Sequence, residues 1–259
     1  MTSMSPPQTS PLYTPRGKNL ALLLLAMTQF VVVIDASIVN VALPSIGRAL
    51  DFSRTDLSWV VNAYTLTFGG FLLLGGRMAD LLGRRRMFML GLVLFSLASF
   101  AGGIAQSEGW LLAARAAQGL GAAIVSPAAL SIITVTFAEG AERNRALGIW
   151  GAVVGAGGAA GVLLGGILTS GLNWRWVLFV NVPIGIAAAA LAPRTLFESR
   201  AGDGAGTREN QIKPPAVSSM PAIRTGLKPV RVTSREAAPA ARMIPTASGR
   251  YETPVLIGE

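Results

Sequence analysis

Residues 20–43 read LALLLLAMTQFVVVIDASIVNVAL: twenty-four positions with a single charge, Asp35. About 20 mainly apolar residues are needed for a helix to cross ~30 Å of hydrocarbon. Inside that layer every backbone N–H and C=O must be paired, so only helices and closed barrels span it. A barrel strand would alternate over ~10 residues, and this stretch is longer and apolar throughout. It therefore predicts a transmembrane helix. Five more runs follow: Trp59 to Leu74, Met87 to Ala105, Trp110 to Val135, Ala146 to Leu168 and Val177 to Ala192. The second and sixth are short for spanning. Brief loops make neighbouring helices antiparallel. The expected fold class is all-α integral membrane: a six-helix bundle over residues 20–196 with a polar lead at 1–19 and a tail at 197–259.

Composition agrees with the runs. The chain has 259 residues, 51% hydrophobic and 14% charged, with mean hydropathy +0.52. A soluble domain carries roughly 25% charged residues. Residues 1–19 are Pro- and Ser-rich, and the first run is too long for a signal-peptide core. Residues 197–259 hold seven of the fifteen prolines and no apolar run. Such a segment buries too little to offset chain entropy, so a disordered basic tail is expected.

Lys and Arg in the short loops set the orientation. Arg16, Lys18, Arg77, Arg84, Arg85, Arg86, Arg143, Arg145 and Arg194 lie on one side, and Arg48, Arg54 and Arg175 on the other. This predicts a cytoplasmic N-terminus and tail in a cell membrane, in a bacterium the inner one. The net charge of +9 is thus a topology signal plus the basic tail. No aromatic–basic module supports nucleic-acid binding. Cysteine and histidine are both absent, which removes Cys–His and Ser–His–Asp catalysis and the usual metal ligands. No enzyme activity, cofactor or metal is expected.

Charges at membrane depth are costly and suggest function by default. From the 1.5 Å helical rise, Asp35 lies ~22 Å from the cytoplasmic end of its run and Arg115 ~7 Å from the outer end of its own. In a ~30 Å core the two sit at similar depth. Either they meet or share a water-filled cavity, or Asp35 is interfacial and Arg115 snorkels outward. A carboxyl that is buried yet close to an arginine is poised to take and release a proton. Gln118 shares a face with Arg115 at i+3, and either lines the same cavity or makes a helix–helix hydrogen bond.

Two further patterns stand out. Between the second and third runs lies GRMADLLGRR (76–85), followed by Arg86. Its glycines suit a tight turn, its arginines pin the loop to the cytoplasm, and Asp80 has an arginine or a helix N-terminus to bind. The fifth run holds Gly151, Gly155, Gly157, Gly158, Gly161, Gly165 and Gly166. This predicts close packing on a neighbouring helix, across a contact that moves. Gly75-Gly76 and Gly165-Gly166 match at an offset of ninety, as a three-plus-three inverted repeat would leave.

These residues resemble the major facilitator superfamily, and in particular its drug:proton antiporters of the fourteen-span EmrB/QacA type. GRMADLLGRR (76–85) is similar to the superfamily's loop signature, DASIVNVALP (35–44) to the antiporters' first-span signature and RAAQGLGAA (115–123) to their fourth-span signature. NWRW (173–176) and FVNVPIG (179–185) resemble the junction of spans five and six. Together they cover about residues 18–200.

The resemblance implies proton-coupled multidrug efflux by alternating access. Asp35 would carry the proton and Arg115 tune it. Asn40 and Gln118 are assigned to a substrate cavity. Gly76, Asp80, Gly83, Arg84 and Arg85 would form a cytoplasmic gating loop. Gly157, Gly161, Gly165 and Gly166 would serve helix packing and conformational change. The implied partners are the lipid bilayer, lipophilic small molecules, protons, and a second bundle or another copy of the chain.

Two departures are plain. Val162 stands in GVLLGG (161–166) where the antiporter signature has proline. Nothing after residue 200 resembles a second bundle, so the chain is expected to be an N-terminal half. The competing expectation is a non-transporting membrane fragment that acts by associating with other helices.

Overall fold

The computed structural model describes residues 14–200. All of its regular elements are helices, and six segments are long and apolar enough to cross a membrane. These are α1 (Pro15–Leu50), α2 (Trp59–Leu82), α3 (Arg84–Gly103), α4 (Glu108–Thr136), α5 (Ala141–Gly171) and a broken sixth span, α6 (Trp176–Phe179) with α7 (Asn181–Thr195). The expected lead (1–19) overlaps α1, which starts at Pro15. The expected disordered tail lies outside the described residues from 201 onward.

The helix ends follow local chemistry. Thr14 caps α1, its hydroxyl accepting from Gly17 N at 3.2 Å, with Pro15 in the first turn where no N–H is needed. Ser107 caps α4 by accepting from Trp110 N at 3.4 Å. Two expectations need correction. The first run ends at Leu43 by its apolar composition, yet α1 continues through Pro44 to Leu50. Packing of the apolar stripe on both sides outweighs one lost backbone bond. The short second run is part of a 24-residue helix, extended by the polar residues up to Leu82. The sixth span is interrupted at Val180. Pro183 lacks the N–H that would bond Phe179 C=O, and its ring crowds that carbonyl.

Helices α1, α4 and α3 form the buried centre. α2 packs on α4 and α5 packs on α1, each through one narrow stripe: Val60, Tyr64, Gly75 and Ala79 on α2, and Ala146, Gly157, Gly161 and Gly165 on α5. The two pairs are related as the expected repeat requires. A Cβ on Gly75 would fall on the backbone of α4, against Ala123 O. One on Gly165, ninety positions on, would lie 3.0 Å from Ile38 O of α1.

The expected close neighbour of the fifth span is therefore α1, and the structure selects among the glycines. Gly157, Gly161 and Gly165 face α1. Gly151, Gly155 and Gly166 have nothing within 4 Å of a Cβ, so Gly166 does not belong to the packing set. A period of four keeps 157, 161 and 165 on one face, and 166 is rotated ~100° away.

Two apolar clusters fill the bundle. One includes Leu25, Phe88, Phe95, Ile132 and Ile133; the other includes Ile38, Ile46, Leu111, Val177 and Leu178. Asp35 lies in α1 between Val32 of the first cluster and Ile38 of the second.

Candidate functional site

Asp35 occupies the inward stripe of α1, in line with Val31, Val32, Ile38 and Val39, and is fully buried. Arg115 and Gln118 lie three residues apart on the inward face of α4, each 1% exposed. Gly119, one residue on, lets α2 approach. A Cβ there would collide with Tyr64 O and the Thr67 hydroxyl. That approach brings Val60 O to 3.1 Å from Arg115 Nε and slides the Tyr64 ring under the guanidinium, 4.4 Å from its centroid.

The acid and the base meet. Arg115 Nη1 donates to Asp35 Oδ2 at 2.7 Å and to Gln118 Oε1 at 2.7 Å. Gln118 Nε2 donates to Asp35 Oδ1 at 2.6 Å and to Ser99 Oγ at 3.1 Å. Asn181 Nδ2 donates to the same carboxylate oxygen at 2.6 Å and to Ser99 Oγ at 3.1 Å. Ser99 in turn donates to Leu178 O at 2.9 Å. The carboxylate thus accepts three hydrogen bonds, one from a cation, with its charge neutralised inside the bundle. An isolated charge in such a place would be prohibitively costly; this one is paired and hydrogen-bonded.

Sequence reasoning placed Asp35, Arg115 and Gln118 correctly relative to one another and missed Asn181, Ser99 and Tyr64. The signal for Asn181 was present: it is the one strongly polar side chain within 176–192. Asn40 is not part of this cluster. It is exposed, and its Nδ2 donates to Ala36 O at 2.8 Å. Gln118 is sealed in the network and Asn40 lies outside it. Five residues apart on α1, Asp35 and Asn40 project in directions ~140° apart.

At the other end of α2 the GRMADLLGRR loop is a compact turn. Gly83 has φ +112°, a conformation closed to residues with a Cβ. Asp80 accepts from Arg84 Nη2 at 2.9 Å and Nε at 3.2 Å, and Arg84 Nε also donates to Ser131 Oγ of α4 at 2.6 Å. Gly76 rests on Pro127 at ordinary contact distance, 3.5 Å. Residues beyond α7 close the turn. Glu198 accepts from Arg85 N at 3.1 Å and lies 3.7 and 3.6 Å from the Arg85 and Arg86 guanidinium Nε atoms. Arg84 N donates to Ser199 O at 3.1 Å. Glu198 and Ser199, just past the expected end of the bundle at 196, take part in this contact. Lys18 of α1 bonds Glu142 at 2.8 Å, and Glu142 also accepts from Ala138 N at 2.9 Å, tying α1 to the α4–α5 junction.

Comparison with known proteins agrees with this architecture. The Major Facilitator Superfamily model matches residues 25–243. The cephamycin export protein CmcT of Amycolatopsis lactamdurans is 53% identical over 180 residues, 70% of this chain and 37% of that protein. The puromycin resistance protein pur8 of Streptomyces alboniger is 50% identical over 183 residues, 70% of this chain and 36% of that protein. The chain spans little more than a third of the length of these relatives. Among solved structures, a bacterial homologue of the human lysosomal transporter Spinster, inward-facing and unoccupied, superposes with a TM-score of 0.61. It is 26% identical and covers 73% of this chain and 45% of its own. A family model matching most of the chain, a six-helix bundle and a transporter fold together place the protein: it belongs to the Major Facilitator Superfamily of membrane transporters.

Proposed function

We propose that this six-span unit is one of the two bundles of a proton-coupled multidrug exporter of the cell membrane, with N-terminus and tail in the cytoplasm. The observation that carries the reading is the buried Asp35–Arg115 pair at 2.7 Å. The donors to this carboxyl come from two other helices, so proton binding at Asp35 would be tied to how the helices pack. The export and resistance activities of CmcT and pur8 support a lipophilic small-molecule substrate.

In alternating access, one bundle rocks against a second around a site near the membrane midplane. The open faces of α2 and α5 are where a second bundle would sit. The loop from Gly76 to Arg85, closed by Glu198 and Ser199, would act as the cytoplasmic latch. No catalysis is assigned to the chain.

The test is transport in a chain completed with a compatible second bundle. Asp35→Asn is expected to abolish gradient-driven efflux and leave membrane insertion intact. Arg115→Ala should impair efflux as well. Efflux at the parental rate in Asp35→Asn overturns the assignment of the proton to Asp35.

A second reading, in which the six-span unit acts only by association with other helices, is favoured by the exposed apolar side chains of α2 and α5, among them Leu66, Leu73, Leu163 and Ile167. It is separated by reconstituting residues 1–259 alone in liposomes with a proton gradient and lipophilic cationic dyes. The expected result is no dye movement. Gradient-dependent movement lost in Asp35→Asn would mean that two copies build a pathway.

A further inference from the structure

Every group around Asp35 donates to it. Arg115 supplies Nη1, Gln118 supplies Nε2 and Asn181 supplies Nδ2. This arrangement fits the anion and leaves a proton on the carboxyl with no acceptor. One partner must therefore change when Asp35 is protonated. Arg115 has no acceptor to offer. Gln118 is held in place, because its Oε1 accepts from Arg115 at 2.7 Å. The Ser99 hydroxyl proton is on Leu178 O. Asn181 differs: it is 1% exposed, and its Oδ1 is buried without a hydrogen-bond partner among the described residues.

We infer that Asn181 is a positioning residue for the coupling proton, its side-chain amide reversing as Asp35 is protonated. The inference rests on Asp35 being the proton carrier. A half-turn of the amide about Cβ–Cγ puts Oδ1 where Nδ2 stood, 2.6 Å from Asp35 Oδ1. The proton adds to Asp35 Oδ1, and the resulting O–H donates to Asn181 Oδ1. No covalent bond of the amide changes. The turn gives up the hydrogen bond from Nδ2 to Ser99, and Nδ2 takes the position of Oδ1, where no described residue is a partner. Ser99 keeps its bonds to Gln118 and Leu178.

The other charged and titratable groups facing the carboxyl are Arg115 of α4 and, beneath it, Tyr64 of α2. The membrane stretches of α3, α5 and the sixth span contain none. Asn181 is also the first residue of α7, directly after the break at Val180. The amide thereby links the proton on the first span to the point of the sixth where Pro183 leaves a backbone bond unmade.

The experiment is infrared difference spectroscopy of the purified 259-residue chain in lipid nanodiscs across a pH titration. The protonated carboxyl band of Asp35 is identified by its loss in Asp35→Asn, and asparagine amide bands are identified by isotope labelling of asparagine. In the wild type, one asparagine amide band is expected to change with the same midpoint as the carboxyl band, and both changes should vanish in Asp35→Asn. In Asn181→Leu the amide change should be lost. The carboxyl band should move to higher frequency, because its O–H has no acceptor. Asn181→Thr, whose hydroxyl both donates and accepts, should return the band towards its wild-type position.

A wild-type carboxyl band that titrates with no accompanying asparagine band overturns the inference. So does an Asn181→Leu carboxyl band of unchanged frequency. If no carboxyl band is lost in Asp35→Asn, Asp35 does not titrate. The proton-carrier reading then fails, and this inference fails with it.

Discussion

Gly161→Ala tests the seam between α1 and α5. A Cβ at Gly161 would lie 2.6 Å from Ser37 Cβ and 3.0 Å from Ile34 O. Carbon atoms rest at ~3.5–4.0 Å, so the helices must part by about 1 Å at this level. The helices are equally close one turn away on either side, where a Cβ on Gly157 or Gly165 would lie 2.9 Å from a Val33 or Val41 side-chain carbon. Overpacking of this kind costs ~1–3 kcal/mol. Alanine's higher helix propensity, worth ~1 kcal/mol over glycine, offsets part of it.

The expected net loss is about 1–2 kcal/mol. Gly166→Ala is the internal control: it lies on the same helix but meets nothing within 4 Å, so it should be neutral or mildly stabilising. The assay is denaturant unfolding in mixed micelles followed by fluorescence of the five tryptophans. The Gly161→Ala penalty should shrink by more than ~0.5 kcal/mol in a Ser37→Gly background, the coupling expected of residues in contact. Equal stability of the Gly161→Ala and Gly166→Ala chains would refute the seam.

Two more outcomes follow from the site and the loops. Asp35→Leu leaves Arg115 buried with no counter-charge and should cost ~3–5 kcal/mol in the same unfolding assay, whereas Asp35→Leu with Arg115→Met should recover most of that. Penalties that simply add would show that the pair is not coupled. The chain lacks cysteine, so single cysteines report topology. A membrane-impermeant thiol reagent on intact cells should label Cys at Gln106 or Asn173 and spare Cys at Arg85, and the reverse pattern would overturn the N-in orientation.

The candidate site was half legible before any coordinates. Asp35 and Arg115 announced themselves because a charge in an apolar run is costly, and counting residues put them at similar depth. Asn181 carries no charge, and an amide in a span reads equally well as a helix–helix hydrogen bond. Asn40 lies five residues from Asp35 on α1, and helical rotation turns it away from the buried network. The tight turn between α2 and α3 was legible in Gly83 and Asp80. Glu198 lay hidden because it follows the last apolar run, at the head of a polar segment.

The number of spans, their order and their alternating direction came from length, composition and loop charge alone. Those are one-dimensional properties, and the bilayer reads them one segment at a time. Which face of each span turns inward needed the folded bundle. In lipid the spans are apolar all round, so no amphipathic stripe marks the buried side. Rotation is set by the neighbour each helix finds. That is why Gly161 and Gly165 meet α1 while Gly166 does not. It is also why Asp35 of the first span and Asn181 of the sixth, 146 residues apart, share one hydrogen bond.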